Sequence, residues 1–368
     1  MFGKKQPAIE PDAVKAILNE INDPEMGKGL VDAGFVHDVK VDGHKVRLGL
    51  MLPTPAWASR PMMATAIPER LAAKNSKLKV DIAWNSDVQR SRPAASDGQN
   101  LVPGARNLIL FASAKGGVGK STVATNVAAA LANMGANVGL LDADVYGPSI
   151  PTMLGTNQRP EVSGQKLIPV TQHGLKLMSI GFIVSPTEAM VWRGPMLAGA
   201  LTQFMRDVEW GDLDYLVLDL PPGTGDVQLT LAQNVKVSGA VLVSTPQEVA
   251  IADVRRGKAM FDKVDIPTLG VVENMAYFQC GNCGTKHHIF NAGGASRLAD
   301  ELKVPLIGEV PLETSAREAA DEGKPAVLVH PDSQSSKAFT NIARTLATML
   351  AKKAIAQPKA RSGLKIIQ

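Results

Sequence analysis

A glycine-rich segment between a predicted strand and a predicted helix most constrains how this chain can fold. Its residues are Ala114, Lys115, Gly116, Gly117, Val118, Gly119, Lys120, Ser121 and Thr122. An apolar run over Leu108–Phe111 precedes it and an alanine-rich segment over Val123–Met134 follows it, which indicates strand, turn and helix. Glycines let backbone N–H groups converge on an anion, and the helix adds the positive end of its dipole. The pattern predicts a loop that holds phosphate groups.

Two side chains of this loop have definite uses in such a site. Lys120 can reach the β- and γ-phosphates of a nucleotide, and the Ser121 hydroxyl can bind Mg²⁺. The predicted ligand is therefore a nucleoside triphosphate together with Mg²⁺.

Composition limits the classes of protein that fit. With 368 residues, the chain is long enough for two domains. Its 45% apolar residues, 20% charged residues and net charge of +4 are ordinary for a globular protein and give no support for a nucleic-acid partner. No apolar run approaches the roughly 20 residues of a membrane helix, and the first residues lack the apolar stretch of a secretory signal. We therefore expect a cytoplasmic protein without a membrane partner.

The pattern along the chain predicts two folded units. We expect a small α/β domain over residues 1–90, a linker over 91–106, a larger domain over 107–353 and a flexible tail over 354–368. The elements predicted in the small domain are a helix over 8–22, strands over Val36–Val41 and Lys45–Leu52 joined by Asp42-Gly43-His44, a helix over Met62–Lys74 and a strand over Leu78–Trp84.

In the larger unit, apolar runs alternate with helical patterns. The predicted strands are Leu108–Ala112, Val138–Leu141, Leu175–Ile180, Tyr215–Leu218, Ala240–Ser244, Thr268–Val272 and Pro305–Ile307, and further helices are predicted over Val249–Lys263 and Ser335–Lys353. Continuous apolar strands suit a parallel sheet that is covered on both faces. The predicted fold class is α/β, with a doubly wound, mostly parallel sheet whose ligand lies at the carboxyl ends of the strands.

Carboxylates follow two of these strands. Asp142 and Asp144 come at the end of one strand, where a carboxylate can orient the water that attacks a γ-phosphate. Asp219 follows the apolar run Leu216–Leu218, in a position suited to hold Mg²⁺ through water. The glycine-containing loop over residues 221–225 is a candidate switch, because glycines permit the backbone change that sensing a phosphate requires.

The only two cysteines form one Cys-x-x-Cys, Cys280 and Cys283. A thioredoxin-like redox pair is one use of such a motif, although a phosphate-loop domain surrounds it here. A zinc site is a second, with His287 and His288 close by in the sequence. A third is an iron–sulfur cluster. A [4Fe–4S] cluster commonly takes four thiolates, so two chains would share one cluster across a symmetric interface.

The loop resembles the deviant P-loop of dimeric ATPases of the MinD, ParA and nitrogenase-iron-protein class, in which a lysine precedes the Gly pair. The resemblance implies that Lys115 reaches across a homodimer interface to the partner's nucleotide, so that Lys115, Lys120 and Asp144 form the catalytic set. It implies that Asp144 positions the attacking water and that Asp142 helps to fix the switch. It further implies that Asn274 reads adenine, which makes ATP the nucleotide, and that Pro311 lines the base pocket.

The chain as a whole resembles the Mrp/ApbC family of ATP-hydrolysing iron–sulfur cluster carriers. The strings that carry the resemblance are residues 144–151, 191–196, 245–248, 272–275, 289–290 and 293–295, together with the Cys-x-x-Cys. The family implies a [4Fe–4S] cluster at a dimer interface that is passed to apo iron–sulfur client proteins. Residues 23–25 and 30–36 resemble the small domain that accompanies iron–sulfur assembly proteins, and here that domain has no cysteine.

Three other readings of the sequence remain open. A positioning ATPase of the MinD or ParA kind would need a terminal amphipathic helix or a basic face, and it would leave the cysteine pair unexplained. A zinc-binding P-loop ATPase would use the cysteines with the nearby histidines. An electron donor like the nitrogenase iron protein would take its two cysteines from separate loops, whereas here both lie in one loop.

Overall fold

A large β-sheet and a smaller one organise the chain. A computed structural model describes residues 8–93, 101–144, 147–183, 194–223, 235–280, 282–290 and 293–357. Within these ranges the strands are β1 (Asn22–Asp23), β2 (Lys28–Gly29), β3 (Val36–Asp42), β4 (Lys45–Leu52), β5 (Lys79–Ser86), β6 (Ala105–Ala112), β7 (Val138–Asp142), β8 (Glu161–Ser163), β9 (Lys166–Ile168), β10 (Val170–Gln172), β11 (Leu175–Ser179), β12 (Leu213–Asp219), β13 (Gly239–Ser244), β14 (Thr268–Gln279), β15 (Lys286–His287) and β16 (Leu306–Leu312).

The helices of the same ranges are mostly short and amphipathic. They are α1 (Pro11–Asn19), α2 (Arg60–Lys74), α3 (Lys120–Asn133), α4 (Ile150–Met153), α5 (Gly194–Asp207), α6 (Glu248–Lys263), α7 (Gly294–Leu302), α8 (Thr314–Asp321), α9 (Ala326–Val329) and α10 (Gln334–Ala356). Among the described residues, none of these helices has the length and apolar character that crossing a membrane requires.

The large sheet has the predicted doubly wound, mostly parallel architecture. Its order is β10-β11-β7-β12-β6-β13-β14-β15, and β16 also pairs with β14. The outermost pairs β10–β11 and β14–β15 are antiparallel, and the strands between them run parallel. Central strands β7, β12 and β13 are buried along their whole length, as expected for parallel strands with helices packed on them. Helices α3 and α10 pack together on this sheet, and α6 packs with α7 beside β13 and β14. The predicted fold class is confirmed.

The small unit has its own apolar core. Strands β3, β4 and β5 form its sheet, and the side chains of Trp57 and Met63 are fully buried in its core. The strands β3 and β4 meet in a two-residue turn, Gly43-His44, in which Gly43 has a positive φ of 56°. The predicted hairpin is confirmed. Glycine suits the turn, because it adopts this left-handed backbone at little cost.

The small unit contacts the large one at the amino ends of the parallel strands. The hydroxyls of Thr54 and Tyr215 share a buried hydrogen bond of 2.8 Å, and the Ala58 N–H donates to Thr348 Oγ1 at 2.9 Å. Tyr215 lies near the start of β12, whereas Asp219 ends that strand. At about 3.3 Å per residue, this contact is more than 10 Å from the edge at which the strand-end carboxylates lie.

Several element boundaries differ from the sequence predictions. β14 runs seven residues past the predicted end at Val272, and β16 runs to Leu312 instead of ending at Ile307. β6 begins at Ala105, inside the range predicted as linker, and α10 continues to Ala356, inside the predicted tail. The short strands β8, β9 and β10 and the helices α5, α7, α8 and α9 were not predicted. Residues 358–368 of the predicted tail lie outside the described residues.

Replacing Tyr215 by Phe should lower the free energy of unfolding by about 1 kcal/mol, since the buried hydrogen bond to Thr54 is lost. The measurement is urea unfolding at equilibrium. Tyr277→Phe is the matched control, because no hydrogen bond of the Tyr277 hydroxyl is found among the described residues, and it should leave stability unchanged. A double-mutant cycle with Thr54→Val that showed additive effects would contradict a direct contact across the junction.

Candidate functional site

The parallel register brings the predicted phosphate loop and two strand-end carboxylates to one edge of the sheet. Asp219, the last residue of β12, pairs with Phe111 of β6 on one side and with Asp142 of β7 on the other. β6 leads directly into the loop, so the loop and both aspartates meet at the carboxyl edge. This is the edge at which open α/β sheets bind ligands.

The loop takes a conformation that depends on its glycines. Gly117 and Gly119 have positive φ angles of 81° and 78°, and Gly119 immediately precedes the first residue of α3. A Cβ at Gly119 would lie 2.1 Å from the side-chain nitrogen of Asn274, so a larger residue cannot fit without displacing Asn274. Gly116 and Gly117 are exposed and have open space above them, which leaves room for phosphate groups.

Lys120, Ser121 and Asp219 form a tight cluster below this loop. Lys120 Nζ lies 2.6 Å from Asp219 Oδ1, and the Ser121 hydroxyl donates to Asp219 Oδ2 at 2.5 Å. The Lys120 side chain is 5% exposed and that of Asp219 is fully buried. Burial raises the pKa of Asp219 above its usual value, and the ammonium group of Lys120 opposes that rise. The hydroxyl and carboxylate oxygens of Ser121 and Asp219 form a donor set of the hard-oxygen type that suits Mg²⁺.

Asp142 and Asp144 have different surroundings. Asp142 is buried and accepts hydrogen bonds from the backbone of Asp144 at 3.2 Å and of Ile150 at 3.3 Å, and from the Ser179 hydroxyl at 3.0 Å. Burial, reinforced by the nearby charge of Asp219, raises the pKa of Asp142 to about 7. Asp144 lies on the wall of the phosphate cavity, with Oδ2 at 3.9 Å from Lys120 Nζ. Asp142 therefore holds the turn through its hydrogen bonds, and Asp144 is the carboxylate that lines the cavity.

Two adjacent cavities extend along the loop. One of about 270 Å³ is lined by the loop, Asp144 and Pro222, and the other of about 680 Å³ is lined by Asn274 and Pro311 among others. Gly119, Thr122, Ser149 and Met153 line both cavities. The smaller chamber, which is lined by the phosphate loop, thus adjoins a larger and more apolar one. Together they leave room for phosphate groups at the loop and for a more apolar group beside Asn274.

Asn274 is held against the loop. Its amide nitrogen donates to the carbonyl oxygen of Val118 at 2.9 Å, and its side chain is largely buried. Asn274 belongs to β14, whose pairing with β16 is interrupted between Asn274 and Phe278, and Met275 has a positive φ of 57° at that interruption. The residue predicted to read adenine therefore lies in the cavity wall and is fixed by a backbone carbonyl of the phosphate loop.

The cysteine pair lies at the tip of a β-hairpin that extends β14. Cys280 follows the last residue of β14, its N–H donates to Thr285 O at 3.0 Å, and the Gly284 N–H donates back to Cys280 O at 2.8 Å. Cys283 is exposed, and its Sγ lies 3.2 Å from the Thr285 hydroxyl. That hydroxyl is the main cause of a lowered pKa at the Cys283 thiol. The hairpin thus presents a half-buried cysteine and an exposed one, and the pKa of the exposed Cys283 thiol lies below its usual value.

The hairpin geometry does not favour a zinc site within one chain. The His288 ring nitrogen Nδ1 lies 3.3 Å from the carbonyl oxygen of Ala276, and the His287 ring stacks beside Phe278 with centroids 6.5 Å apart. Across the described residues, no group of three or more His, Cys, Asp or Glu side chains is arranged to hold a metal ion. Within the described ranges, therefore, no His, Asp or Glu side chain joins the two cysteines in a metal-binding group.

Other predicted site residues either lie on the surface or fall outside the described residues. Lys115 is exposed, and within the described ranges it has no ion pair. Pro221, Pro222 and Gly223 of the candidate switch are described, and the Gly223 N–H donates to Ser113 O at 2.9 Å. The rest of that switch, residues 224–225, lies outside the described residues, as do 145–146 and 191–193.

Sequence reasoning missed several residues of this site. Ser113 lines the phosphate cavity, Thr285 contacts the Cys283 thiol, and Glu273 is buried with its carboxylate accepting from the Ala295 N–H at 2.9 Å. Burial raises the pKa of Glu273. Only Glu273 had a usable signal, a charged residue at the end of a buried apolar run. For Ser113 and Thr285 the decisive contacts are three-dimensional.

The fold and this site define a P-loop nucleoside triphosphatase. A family model of the NUBPL iron-transfer P-loop NTPases matches residues 104–347, and a model of iron–sulfur cluster assembly proteins matches residues 11–82. The chain belongs to the NUBPL iron-transfer family of P-loop NTPases, and its predicted class, an ATPase, is confirmed.

Relatives over nearly the full chain carry one description. The "iron-sulfur cluster carrier protein" of Escherichia coli K12 is 52% identical over 358 residues, which is 95% of this chain and 95% of the relative. The protein of that description from Synechocystis is 44% identical over 92% of this chain and 97% of its own length. An Arabidopsis thaliana "iron-sulfur protein required for NADH dehydrogenase, mitochondrial" is 53% identical over 66% of this chain and 78% of its own.

Solved structures resemble the large unit. A nucleotide-binding protein from Archaeoglobus fulgidus in complex with ADP matches with a TM-score of 0.56 and 40% identity, over 64% of this chain and 93% of that one. The cell division ATPase MinD of Pyrococcus furiosus matches with a TM-score of 0.51 and 22% identity, over 66% of this chain and 99% of that one, a similarity of fold alone.

Thr285→Val should slow alkylation of Cys283 at pH 7 in the cluster-free protein. The Thr285 hydroxyl lowers the Cys283 pKa and so raises the thiolate fraction at neutral pH, and its loss should move the alkylation midpoint to higher pH. Iodoacetamide labelling across a pH series, with Cys283 followed by peptide mass spectrometry, gives this midpoint. Thr285→Ser keeps the hydroxyl and should retain the wild-type profile. An unchanged midpoint in Thr285→Val would show that the hydroxyl does not act on the thiol.

Proposed function

We propose that this protein is an ATP-hydrolysing iron–sulfur cluster carrier of the cytoplasm. Two copies of the chain bind one [4Fe–4S] cluster between them and pass it to apo iron–sulfur proteins. The observation that carries the proposal is the Cys280–Cys283 hairpin, which displays two accessible thiols beside a P-loop site and supplies half of the usual ligand set. The descriptions of the relatives support the cargo, since each of those reported names an iron–sulfur protein.

The nucleotide part of the proposal assigns a task to each site residue. The backbone of residues 114–119 and the amino end of α3 hold the phosphates, with Lys120 as their counter-charge. Asp144 positions the attacking water, and Asp142 fixes the turn that presents Asp144. Asn274 and Pro311 bind the adenine. The ADP complex of the Archaeoglobus fulgidus relative supports an adenine nucleotide here.

Ser121 and Asp219 are the residues that would hold Mg²⁺. Their oxygens, 2.5 Å apart, match the oxygen ligands that this ion prefers. In that site Mg²⁺ would neutralise phosphate charge. Lys120, which now pairs with Asp219, would then be released to contact the phosphates. Mg²⁺ therefore competes with Lys120 for the Asp219 carboxylate, and the phosphates compete with Asp219 for the Lys120 ammonium group.

A homodimer follows from counting the cluster ligands. One chain has two cysteines, and a [4Fe–4S] cluster commonly takes four thiolates. A symmetric dimer that joins the two hairpins supplies four thiolates, in two symmetry-related pairs, with no additional residue. Lys115 supports this arrangement, because it is exposed and directly precedes Gly116 of the cavity wall, where a lysine can reach a second copy. A cluster held at the tips of two exposed hairpins is also accessible to a client protein.

The small domain contributes no ligand to the cluster. It has no cysteine, and it contacts the large unit through Thr54 and Tyr215 at the amino edge of the sheet, away from the hairpin. We propose that residues 1–90 form this domain, that residues 107–353 form the ATPase domain, and that the segment between them connects the two. In this arrangement the small domain docks partners, and the cluster is bound and released at the opposite, carboxyl edge of the large sheet.

Cys283→Ala should abolish cluster binding, because it leaves two thiolates per dimer. Anaerobic reconstitution of wild type with iron and sulfide should give four Fe per dimer and a visible chromophore, and the variant should give neither. ADP affinity, measured by calorimetry on the same samples, should stay within about twofold, since the hairpin tip lies outside the nucleotide cavities. Wild-type protein that instead takes up stoichiometric zinc and remains colourless would reject the cluster assignment.

Lys120→Ala should remove ATP binding or turnover, because it deletes the main counter-charge for the phosphates. Lys115→Ala should reduce turnover more than binding if Lys115 acts on the nucleotide of the partner copy. Steady-state phosphate release and equilibrium nucleotide binding measure the two effects. Hydrolysis near the wild-type level in Lys120→Ala would refute the site assignment. Equal losses of binding and turnover in Lys115→Ala would refute its action across the interface.

A further inference from the structure

Ser113 is a buried hydroxyl residue at the phosphate cavity that has no task in the proposed mechanism. It immediately precedes the phosphate loop and is 3% exposed. It lines the cavity of about 270 Å³ together with Asp144, Lys120 and Pro222. Within the described residues its hydroxyl oxygen has no hydrogen-bond partner, although almost none of that atom is accessible. An unpaired buried hydroxyl is costly, and a bound ligand is one way in which that cost is met.

The position of Ser113 within the cavity indicates which part of a ligand it meets. Asn274 and Pro311 line the large chamber at one end, whereas Ser113, Asp144 and Pro222 line only the small chamber. A nucleotide with its base at Asn274 therefore directs its terminal phosphate toward Ser113. The Ser113 carbonyl also accepts from the Gly223 N–H at 2.9 Å, so the backbone of Ser113 is fixed beside the candidate switch.

We propose that the Ser113 hydroxyl turns about its Cα–Cβ bond and donates a hydrogen bond to the terminal phosphate of bound ATP. ADP lacks that phosphate, so Ser113 is a binding residue that distinguishes the two nucleotides. Because its carbonyl is bonded to Gly223, the contact also joins the terminal phosphate to the loop after β12. This inference rests on the proposed ATP site and adds a specific contact to it.

The test measures equilibrium binding of ADP and of a non-hydrolysable ATP analogue, each with Mg²⁺, to the full-length protein. Ser113→Ala should weaken binding of the analogue by roughly 10- to 100-fold, the factor expected for one hydrogen bond to a charged group. The affinity for ADP should stay within about twofold of the wild-type value. Ser113→Thr keeps a hydroxyl and should retain most of the preference for the analogue. Ser91→Ala removes another buried hydroxyl that has no partner among the described residues and lines neither cavity, so it should change neither affinity.

Thermal unfolding of the nucleotide-free variants separates binding from folding. Ser113→Ala removes no hydrogen bond found in the described part of the chain and relieves the cost of an unpaired buried hydroxyl, so its unfolding midpoint should be equal to or above that of wild type. A lowered midpoint would show that the hydroxyl has a structural partner and would overturn the inference. The same ratio of analogue to ADP affinity in Ser113→Ala and wild type would also overturn it, with the ATP site left intact. Wild-type protein that bound neither nucleotide would overturn the proposed function itself.

Discussion

The common direction of the central strands is the constraint on which the site depends. Because β6, β7 and β12 run parallel and in register, the loop after β6, the turn after β7 and the carboxylate that ends β12 meet at one edge. The buried pair of Lys120 and Asp219, 2.6 Å apart, then joins the loop to the neighbouring strand. A buried charge of this kind is tolerated only because its partner is present. The pair therefore fixes the first turn of α3 against the end of β12.

One strand joins the nucleotide site to the cysteine hairpin. β14 contains Asn274, which donates to the phosphate loop at Val118, and six residues later the chain reaches Cys280. That separation is at most about 20 Å of extended chain. Met275, with its positive φ, lies between the two sites, where the pairing of β14 with β16 is interrupted. The residue that contacts the loop therefore lies in the strand that leads directly to the first thiol, so one element connects the phosphate loop to the cysteine pair.

Local patterns predicted the phosphate loop, the strand-end aspartates and the fold class, because each depends on residues that are close in sequence. The length of β14 was underestimated for a physical reason. Glu273 and Asn274 indicate the end of a strand, yet both are buried inside it, since their polar atoms bond to Ala295 and Val118. Ser113 and Thr285 could not be identified from sequence, because a serine before a loop or a threonine after a cysteine has no distinctive pattern. Only the folded chain places Ser113 in the cavity wall and Thr285 against the Cys283 thiol.

The central claim is that each chain supplies half of the ligands for one cluster, so that a second copy completes the site. Native mass spectrometry of protein purified without oxygen tests it most directly, because one spectrum reports both the number of chains and the mass of bound iron and sulfide. The account predicts two chains with a single Fe₄S₄ unit, and single chains without one. A cluster on a single chain, or two clusters on a dimer, would contradict it.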